Sequence, residues 1–109
     1  DLVGKRFEIF DSYRPRQPSC ARLLRPWLED EWRTKYGEKL DISTWPSILR
    51  DDVPVQGNPF DCGVFVCMFV RCLLFKRSFD FTQADIPSMR QWMVYEMLNK
   101  TIIPRSFEL

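Results

Sequence analysis

A cysteine lies at the mouth of an apolar segment, directly after a loop of glycine, asparagine and proline. The loop and the cysteine occupy Gln56 to Gly63, in the order Gln-Gly-Asn-Pro-Phe-Asp-Cys-Gly, and the apolar run Val64 to Val70 follows. If Cys62 lies in the first turn of a helix, free backbone N–H groups and the positive end of the helix dipole favour its thiolate. The same N–H groups can bind the oxyanion formed when a thiolate attacks a carbonyl. The pattern is typical of a thiol nucleophile.

The neighbours of Cys62 suit the same chemistry. Gln56 can direct a side-chain N–H into the oxyanion hole, and Gly63 lets a substrate backbone approach closely. Asp61 can hold the loop by accepting hydrogen bonds from backbone N–H groups. The alternative is an ordinary buried cysteine on an apolar helix, which spacing alone favours. The chain also contains no histidine, although a thiol nucleophile normally needs an imidazole to take its proton.

Composition excludes several other classes of protein. The 109 residues carry 16 basic and 15 acidic side chains, a net charge of +1, without the basic block of a nucleic-acid binder. No apolar run is long enough for a transmembrane helix, and the start at Asp1 indicates a cut into a longer protein. Cys62, Cys67 and Cys72 would diverge around a helix and cannot share a metal. We therefore expect no metal, no cofactor and a reducing compartment.

The first half of the chain predicts short strands around one long helix. Leu2–Val3 is predicted to end one strand, and Phe7 to Phe10 to form a second, because apolar and polar residues alternate there. A helix is predicted from an N-cap at Ser19 to about Tyr36, stopped by Gly37. One stripe of it is expected to be buried: Ala21, Leu24, Leu28, Trp32 and Lys35 or Tyr36. A basic set is expected to be solvated or to contact an acidic partner: Arg14, Arg16, Arg22 and Arg25.

The second half predicts a short strand and two helices. A short edge strand is expected within Ile42 to Arg50. Cys62 to Lys76 is predicted to be a buried helix; valine and phenylalanine favour a strand locally, but the run is too long for one. Thr82 with Asp85 three residues later predicts the capped start of a last helix. That helix is expected to run to about Asn99 and to bury one face: Ile86, Met89, Met93 and Met97. Cys67 and Cys72 are expected to fill the core.

Three motifs resemble one family in the same order. Val53 to Cys67 closely resembles the nucleophile segment of the Ulp1-type (SUMO-specific, sentrin) cysteine proteases, where a glutamine, a short loop and Asp-Cys-Gly open a central helix. Phe81 to Arg90 is similar to the segment before that family's last helix. Phe7 to Ser12 is similar to its strand ending in aromatic-Asp-Ser. The resemblance extends over nearly the whole chain.

The resemblance implies the roles of three residues and a fold. Cys62 is then the nucleophile, Gln56 the oxyanion donor and Asp11 the acid that orients the imidazole, although an Asp-Ser pair is often only a turn former. The family's histidine lies in a His-Trp pair one strand earlier, which would fall before Asp1. The implied fold is α+β: a small mixed sheet carrying Asp11, packed on a central helix with flanking helices. Residues 1–109 would be the C-terminal part of a single catalytic domain.

The resemblance also implies a function. The complete domain is expected to be a cysteine peptidase that cleaves after the C-terminal Gly-Gly of a ubiquitin-like modifier, in deSUMOylation or related deconjugation or processing. Its partners would be SUMO or a related modifier and its conjugates, with no nucleic acid and no membrane, in the nucleus or cytoplasm. The 109-residue chain alone is expected to be inactive without the histidine. The alternative is a non-catalytic relative that binds ubiquitin-like proteins, or a degenerate remnant derived from a mobile element.

Overall fold

The structure, a computed structural model, describes residues 1–13 and 20–104. The predicted N-cap Ser19 and the basic residues Arg14 and Arg16 lie outside the described residues. The chain divides into two compact units. The N-terminal unit comprises Asp1–Phe10 and Pro15–Asp51, and the C-terminal unit comprises Asp11–Arg14 and Asp52–Leu109.

The N-terminal unit contains a two-stranded parallel sheet and one helix. Strand β1 (Phe7–Ile9) pairs with strand β2 (Ser47–Leu49), so that Phe7 lies opposite Ser47 and Ile9 opposite Leu49. Helix α1 (Cys20–Tyr36) lies in the connection between the strands, as parallel pairing requires a long crossover. These strands confirm the prediction at Phe7 and the short strand expected before Arg50.

The predicted strand end at Leu2–Val3 is wrong, because residues 2–5 form a turn. The Asp1 carboxylate accepts a hydrogen bond from the Gly4 N–H at 2.8 Å. The Arg6 N–H donates to the Asp1 carbonyl at 3.2 Å. These local bonds close the turn and compete with strand pairing.

Helix α1 ends where predicted, but its buried stripe is narrower than expected. Gly37 has a φ of +68°, the left-handed conformation that terminates many helices. Ala21 is buried and Leu28 and Trp32 are half-buried, whereas Leu24 is 50% exposed. Lys35 and Tyr36 are also exposed.

Arg25 belongs to this packed face, so its expected place in a solvated basic set is wrong. Its guanidinium donates to the carbonyls of Ile42 at 3.1 Å and Trp45 at 2.6 Å, and to the Ser47 hydroxyl at 3.0 Å. It also lies 4.5 Å from the centre of the Phe7 ring. The rigid fork of donors in arginine allows one side chain to tie α1 to the residues leading into β2. Arg22 on the same helix is exposed.

The C-terminal unit is built on two helices. Helix α2 (Cys62–Leu74) confirms the helix rather than the strand over this apolar run. A 3₁₀ turn (Gln83–Asp85) leads into helix α3 (Ile86–Asn99). The predicted capping box is present, because the Asp85 carboxylate accepts a hydrogen bond from the Thr82 N–H at 2.7 Å.

An aromatic cluster forms the core of this unit. Phe65 is fully buried, and its ring centre lies 6.2 Å from that of Phe69 and 5.6 Å from that of Phe81. Phe81 comes just before the 3₁₀ turn. The aromatic cluster therefore holds this turn near the start of α2. Ile86 and Met89 bury the matching face of α3.

Two predicted core cysteines and two predicted core methionines have different outcomes. Cys72 is buried and confirms the prediction, whereas Cys67 is exposed and contradicts it. Met93 is half-buried, but Met97 is 68% exposed, so the predicted apolar face of α3 does not extend to its last turn. That turn is instead held by the buried Glu96, which accepts a hydrogen bond from Arg71 of α2 at 2.6 Å.

The described part of the chain contains three α-helices and a small parallel sheet, so the fold class is α+β, as predicted. No helix within residues 1–13 and 20–104 has the length and hydropathy needed to cross a membrane.

Candidate active site

Cys62 is the first residue of α2, and its side chain is exposed. The Asp61 carbonyl accepts hydrogen bonds from the N–H groups of Val64 at 2.9 Å and Phe65 at 3.1 Å. Within residues 1–13 and 20–104, the N–H groups of Cys62 and Gly63 are therefore those without an acceptor in the preceding turn. They lie beside an accessible thiol, in the arrangement that can bind an oxyanion.

Gly63 leaves open space next to the thiol. Apart from its chain neighbours and the backbone of α2, no atom of the described residues lies within 4 Å of a Cβ atom built on Gly63. The packing of this chain therefore does not require glycine there, and the space is available to the backbone of a bound peptide.

The Gln56 side chain is buried and oriented at both ends. Its Oε1 accepts a hydrogen bond from the Ser12 hydroxyl at 2.6 Å, and its Nε2 donates to the Asn58 carbonyl at 2.5 Å. Its backbone N–H also donates to the Ser12 carbonyl at 2.8 Å. A side-chain amide has two N–H donors, so the bond to Asn58 leaves the second one for a ligand.

A cavity of about 280 Å³ adjoins this amide. Both polar and apolar groups line it, and they come from the loop before Cys62 and from the segment after β1: Tyr13, Val55, Gln56, Gly57, Asn58 and Pro59. The oriented amide of Gln56 therefore lies at a concave surface that a ligand can occupy.

Asp11 lies two residues after β1 and is half-buried. Its carboxylate accepts a hydrogen bond from the Tyr13 N–H at 2.9 Å, which is the turn-forming role given above as the alternative. The neighbouring Ser12 is bonded to Gln56, so the Asp-Ser pair lies next to the oxyanion donor. Among the described residues, the structure shows no hydrogen bond between Asp11 and Gln56 or Cys62, and the role of Asp11 toward an imidazole stays a prediction.

Asp61, directly before the nucleophile, is bound to the loop through side-chain donors rather than through the backbone donors that were predicted. Its carboxylate accepts hydrogen bonds from three side chains: Asn58 Nδ2 at 2.6 Å, Gln83 Nε2 at 2.7 Å, and the Arg90 guanidinium. The expectation that it binds backbone N–H groups of the loop is therefore wrong. Arg90 first, and then Asn58, hold the pKa of the Asp61 carboxyl below its usual range, although burial opposes this.

Asn58 makes the backbone contacts expected of Asp61. Its Oδ1 accepts hydrogen bonds from the N–H groups of Phe60 at 3.1 Å and Asp61 at 3.0 Å. The Gly57 N–H donates to Gln83 Oε1 at 2.7 Å, so Gln83 joins the loop to the carboxylate. The Asn-Pro pair is a local turn signal that points to Asn58. Gln83 and Arg90 have no such signal, because their contacts are tertiary.

The lowered pKa of Asp61 predicts how stability depends on pH. Because the folded value lies below the unfolded one, the ionised carboxylate adds stability above about pH 4, and the contribution is lost as the pH falls through the folded value. We expect Asp61→Asn to lower the melting temperature at about pH 6 and the gap to wild type to shrink below about pH 4. The measurement is the melting temperature of both proteins by thermal unfolding, from about pH 6 to about pH 3.

Asp30→Asn is the matched control, because Asp30 is exposed and paired with Arg33 on α1. Its effect should be small throughout, since exposed ion pairs add little stability. A gap for Asp61→Asn that is constant down to about pH 3 would contradict the prediction.

The described cysteines differ in reactivity for a structural reason. Burial, and then the negative charge of Asp80, raise the pKa of the Cys72 thiol, so this cysteine is protonated and inert. Cys62 and Cys67 are free and exposed. No group of histidine, cysteine or acidic residues in the described part of the chain is arranged to hold a metal.

Comparison with known proteins gives one consistent result. The model of the Ulp1 protease family, C-terminal catalytic domain, matches residues 1–102. The chain is 33% identical to a sentrin-specific protease of Caenorhabditis elegans, over 94% of the chain and 15% of that protein. It is 33% identical to ubiquitin-like-specific protease 1A of Arabidopsis thaliana, over 90% of the chain and 20% of that protein. It is 30% identical to human sentrin-specific protease 2, over 94% of the chain and 18% of that protein. The chain thus spans at most a fifth of the length of these relatives.

Proposed function

We propose, given that this chain belongs to the Ulp1 protease family, that it carries the nucleophile and oxyanion hole of a peptidase that cleaves after the C-terminal Gly-Gly of SUMO or a related modifier. The observation that carries the proposal is the exposed Cys62 in the first turn of α2, with free N–H groups beside it. The names of the relatives, sentrin-specific and ubiquitin-like-specific proteases, support the class of substrate.

The geometry suits a thioester mechanism. The Cys62 sulfur attacks the carbonyl carbon of the terminal glycine, and the N–H groups at the start of α2 and the Gln56 amide bind the resulting oxyanion. A protonated imidazole gives its proton to the leaving amine as the C–N bond breaks, which leaves a thioester on Cys62. Water then attacks the thioester carbonyl and releases the modifier and the free thiol.

In this proposal the general base is the histidine of the family's His-Trp pair, which the resemblance places before Asp1. Asp11 orients that imidazole. Residues 1–109 are then the C-terminal part of a single catalytic domain, and without the remainder they do not turn over substrate. The free thiols of Cys62, Cys67 and Cys72 support a nuclear or cytoplasmic location.

The test is labelling of the complete protein with SUMO that carries a C-terminal electrophile. We expect one adduct, on Cys62, identified by peptide mapping. Exposed Cys67 is the internal control, because it lies on the same helix without the oxyanion hole. No adduct, or an adduct on Cys67, would contradict the proposal. The same probe made from ubiquitin tests the choice of modifier.

A second candidate is a non-catalytic protein that binds a ubiquitin-like modifier, and it applies if the complete protein has no histidine at the position that the family uses. The same experiment separates the two. Measurable binding of unmodified SUMO without an adduct from the electrophile indicates the non-catalytic protein.

A further inference from the structure

A buried negative charge lies immediately before the nucleophile. Asp61 is 5% exposed and precedes Cys62, so its carboxylate is held inside the protein next to a residue that reacts as an anion. Two like charges at neighbouring positions disfavour each other. A buried carboxylate also needs hydrogen-bond donors for its oxygens. The site must therefore offset this charge.

Three donors surround the carboxylate, and one of them is charged. Asn58 from the loop and Gln83 from the 3₁₀ turn both donate to Oδ2. Arg90 of α3 donates to Oδ1. Within the described residues, Arg90 is the charged side chain bound to Asp61, so it supplies the positive charge that the amides cannot.

Arg90 extends from a firmly packed part of α3. Met89 before it and Ile86 one turn earlier are both buried. The Arg90 side chain itself is 51% exposed, so the guanidinium keeps contact with water while it binds Asp61. The core of the C-terminal unit thus places a cation at the start of α2.

The contacts continue from Asp61 to the oxyanion donor. Asn58 Nδ2 binds Asp61, and the Asn58 carbonyl accepts the hydrogen bond from Gln56 Nε2. Without Arg90, the ionised Asp61 carboxylate would keep only the amide donors of Asn58 and Gln83 and would turn toward water, because amides alone stabilise a buried carboxylate poorly. This change would release the loop that orients Gln56.

We propose that Arg90 is a positioning residue for the reaction of Cys62: it binds the Asp61 carboxylate, holds the 56–61 loop and offsets the negative charge beside the thiolate. The inference deepens the proposed function and rests on it for its effect on turnover. Its effect on the chemistry of the thiol is measured without any substrate.

The experiment compares wild type, Arg90→Met and Arg90→Lys in the complete protein. Methionine keeps an apolar stem without the charge, and lysine restores the charge. For Arg90→Met we expect kcat on a fluorogenic SUMO substrate to fall about tenfold or more, with KM within about threefold. Alkylation of Cys62 by iodoacetamide at about pH 7 should slow about threefold or more. Arg90→Lys should recover most of both losses.

Arg33→Met is the matched control, because Arg33 also pairs with an aspartate but lies exposed on α1. It should change neither rate. Thermal unfolding of each variant identifies loss of folded protein. Alkylation of Cys62 that is unchanged in folded Arg90→Met would overturn the inference. Wild type without SUMO activity would overturn the proposed function instead, and the inference is then decided by alkylation alone.

A double-mutant cycle tests whether Arg90 acts through Asp61. In the Asp61→Asn background the charge to be offset is absent, so we expect Arg90→Met to slow alkylation of Cys62 by less than about twofold. The inference would be overturned if Arg90→Met slowed alkylation of Cys62 by the same factor in the Asp61→Asn background as in wild type.

Discussion

Replacing Cys62 by alanine is expected to lower kcat for hydrolysis of a SUMO C-terminal substrate by about 10⁴-fold or more, because removal of a covalent nucleophile removes the reaction path itself. The measurement is steady-state hydrolysis by the complete protein. The fold should be unaffected, since the Cys62 side chain is exposed and lies at the end of α2.

Cys67→Ala is the control for this substitution. Cys67 is also exposed, on the same helix, five residues later. It should retain full activity, because its N–H group is already used within the helix. Activity that survives Cys62→Ala, or that is lost in Cys67→Ala, would show that the nucleophile is elsewhere.

Replacing Gln56 by alanine is expected to lower kcat by about 10²–10³-fold with little change in KM, because the amide stabilises charge that develops only in the transition state. The Ser12 hydroxyl and the Asn58 carbonyl hold the amide before substrate arrives. This preorganisation is what makes the donor effective.

The same substitution removes the partner of two buried groups, so some stability is also lost. We expect about 1–3 kcal/mol from the unpaired Ser12 and Asn58 groups. Thermal unfolding must therefore accompany the kinetics. Gln91→Ala, at an exposed position on α3, is the control and should change neither quantity. A rise in KM at constant kcat would instead assign Gln56 to ordinary substrate binding.

Local signals in the sequence predict much of the fold. Gly37 marks the end of α1, the Thr82–Asp85 pair marks the turn before α3, and the length of the apolar run separates helix from strand in α2. Each signal acts between residues a few positions apart, where the geometry of one turn or one cap decides the outcome. The strand end predicted at Leu2–Val3 is wrong because of another local interaction. The Asp1 side chain accepts a hydrogen bond that forms a turn, and the apolar pattern does not reveal this.

Periodicity is less reliable at the two ends of a helical face. Leu24 and Met97 have the spacing of core residues but are exposed. Arg25 of α1 was expected to be solvated but is packed, because its guanidinium donates hydrogen bonds to two backbone carbonyls and a hydroxyl of residues 42–47. Hydrophobic spacing shows which residues can be buried, whereas the partners of a polar group depend on the neighbouring elements.

The candidate site also has a part that the sequence predicts and a part that only the tertiary structure shows. Residue types and order alone predict Cys62 at the start of a helix with free N–H groups, and Gln56 on the loop before it. Only the tertiary structure decided how these residues are held. Ser12 reaches Gln56 across 44 positions, and Gln83 and Arg90 reach Asp61 across 22 and 29 positions. The position of a nucleophile at the start of a helix can be predicted from local geometry. The hydrogen-bond donors of a buried carboxylate depend on which side chains the tertiary structure packs around it, and these residues are distant from it in the sequence.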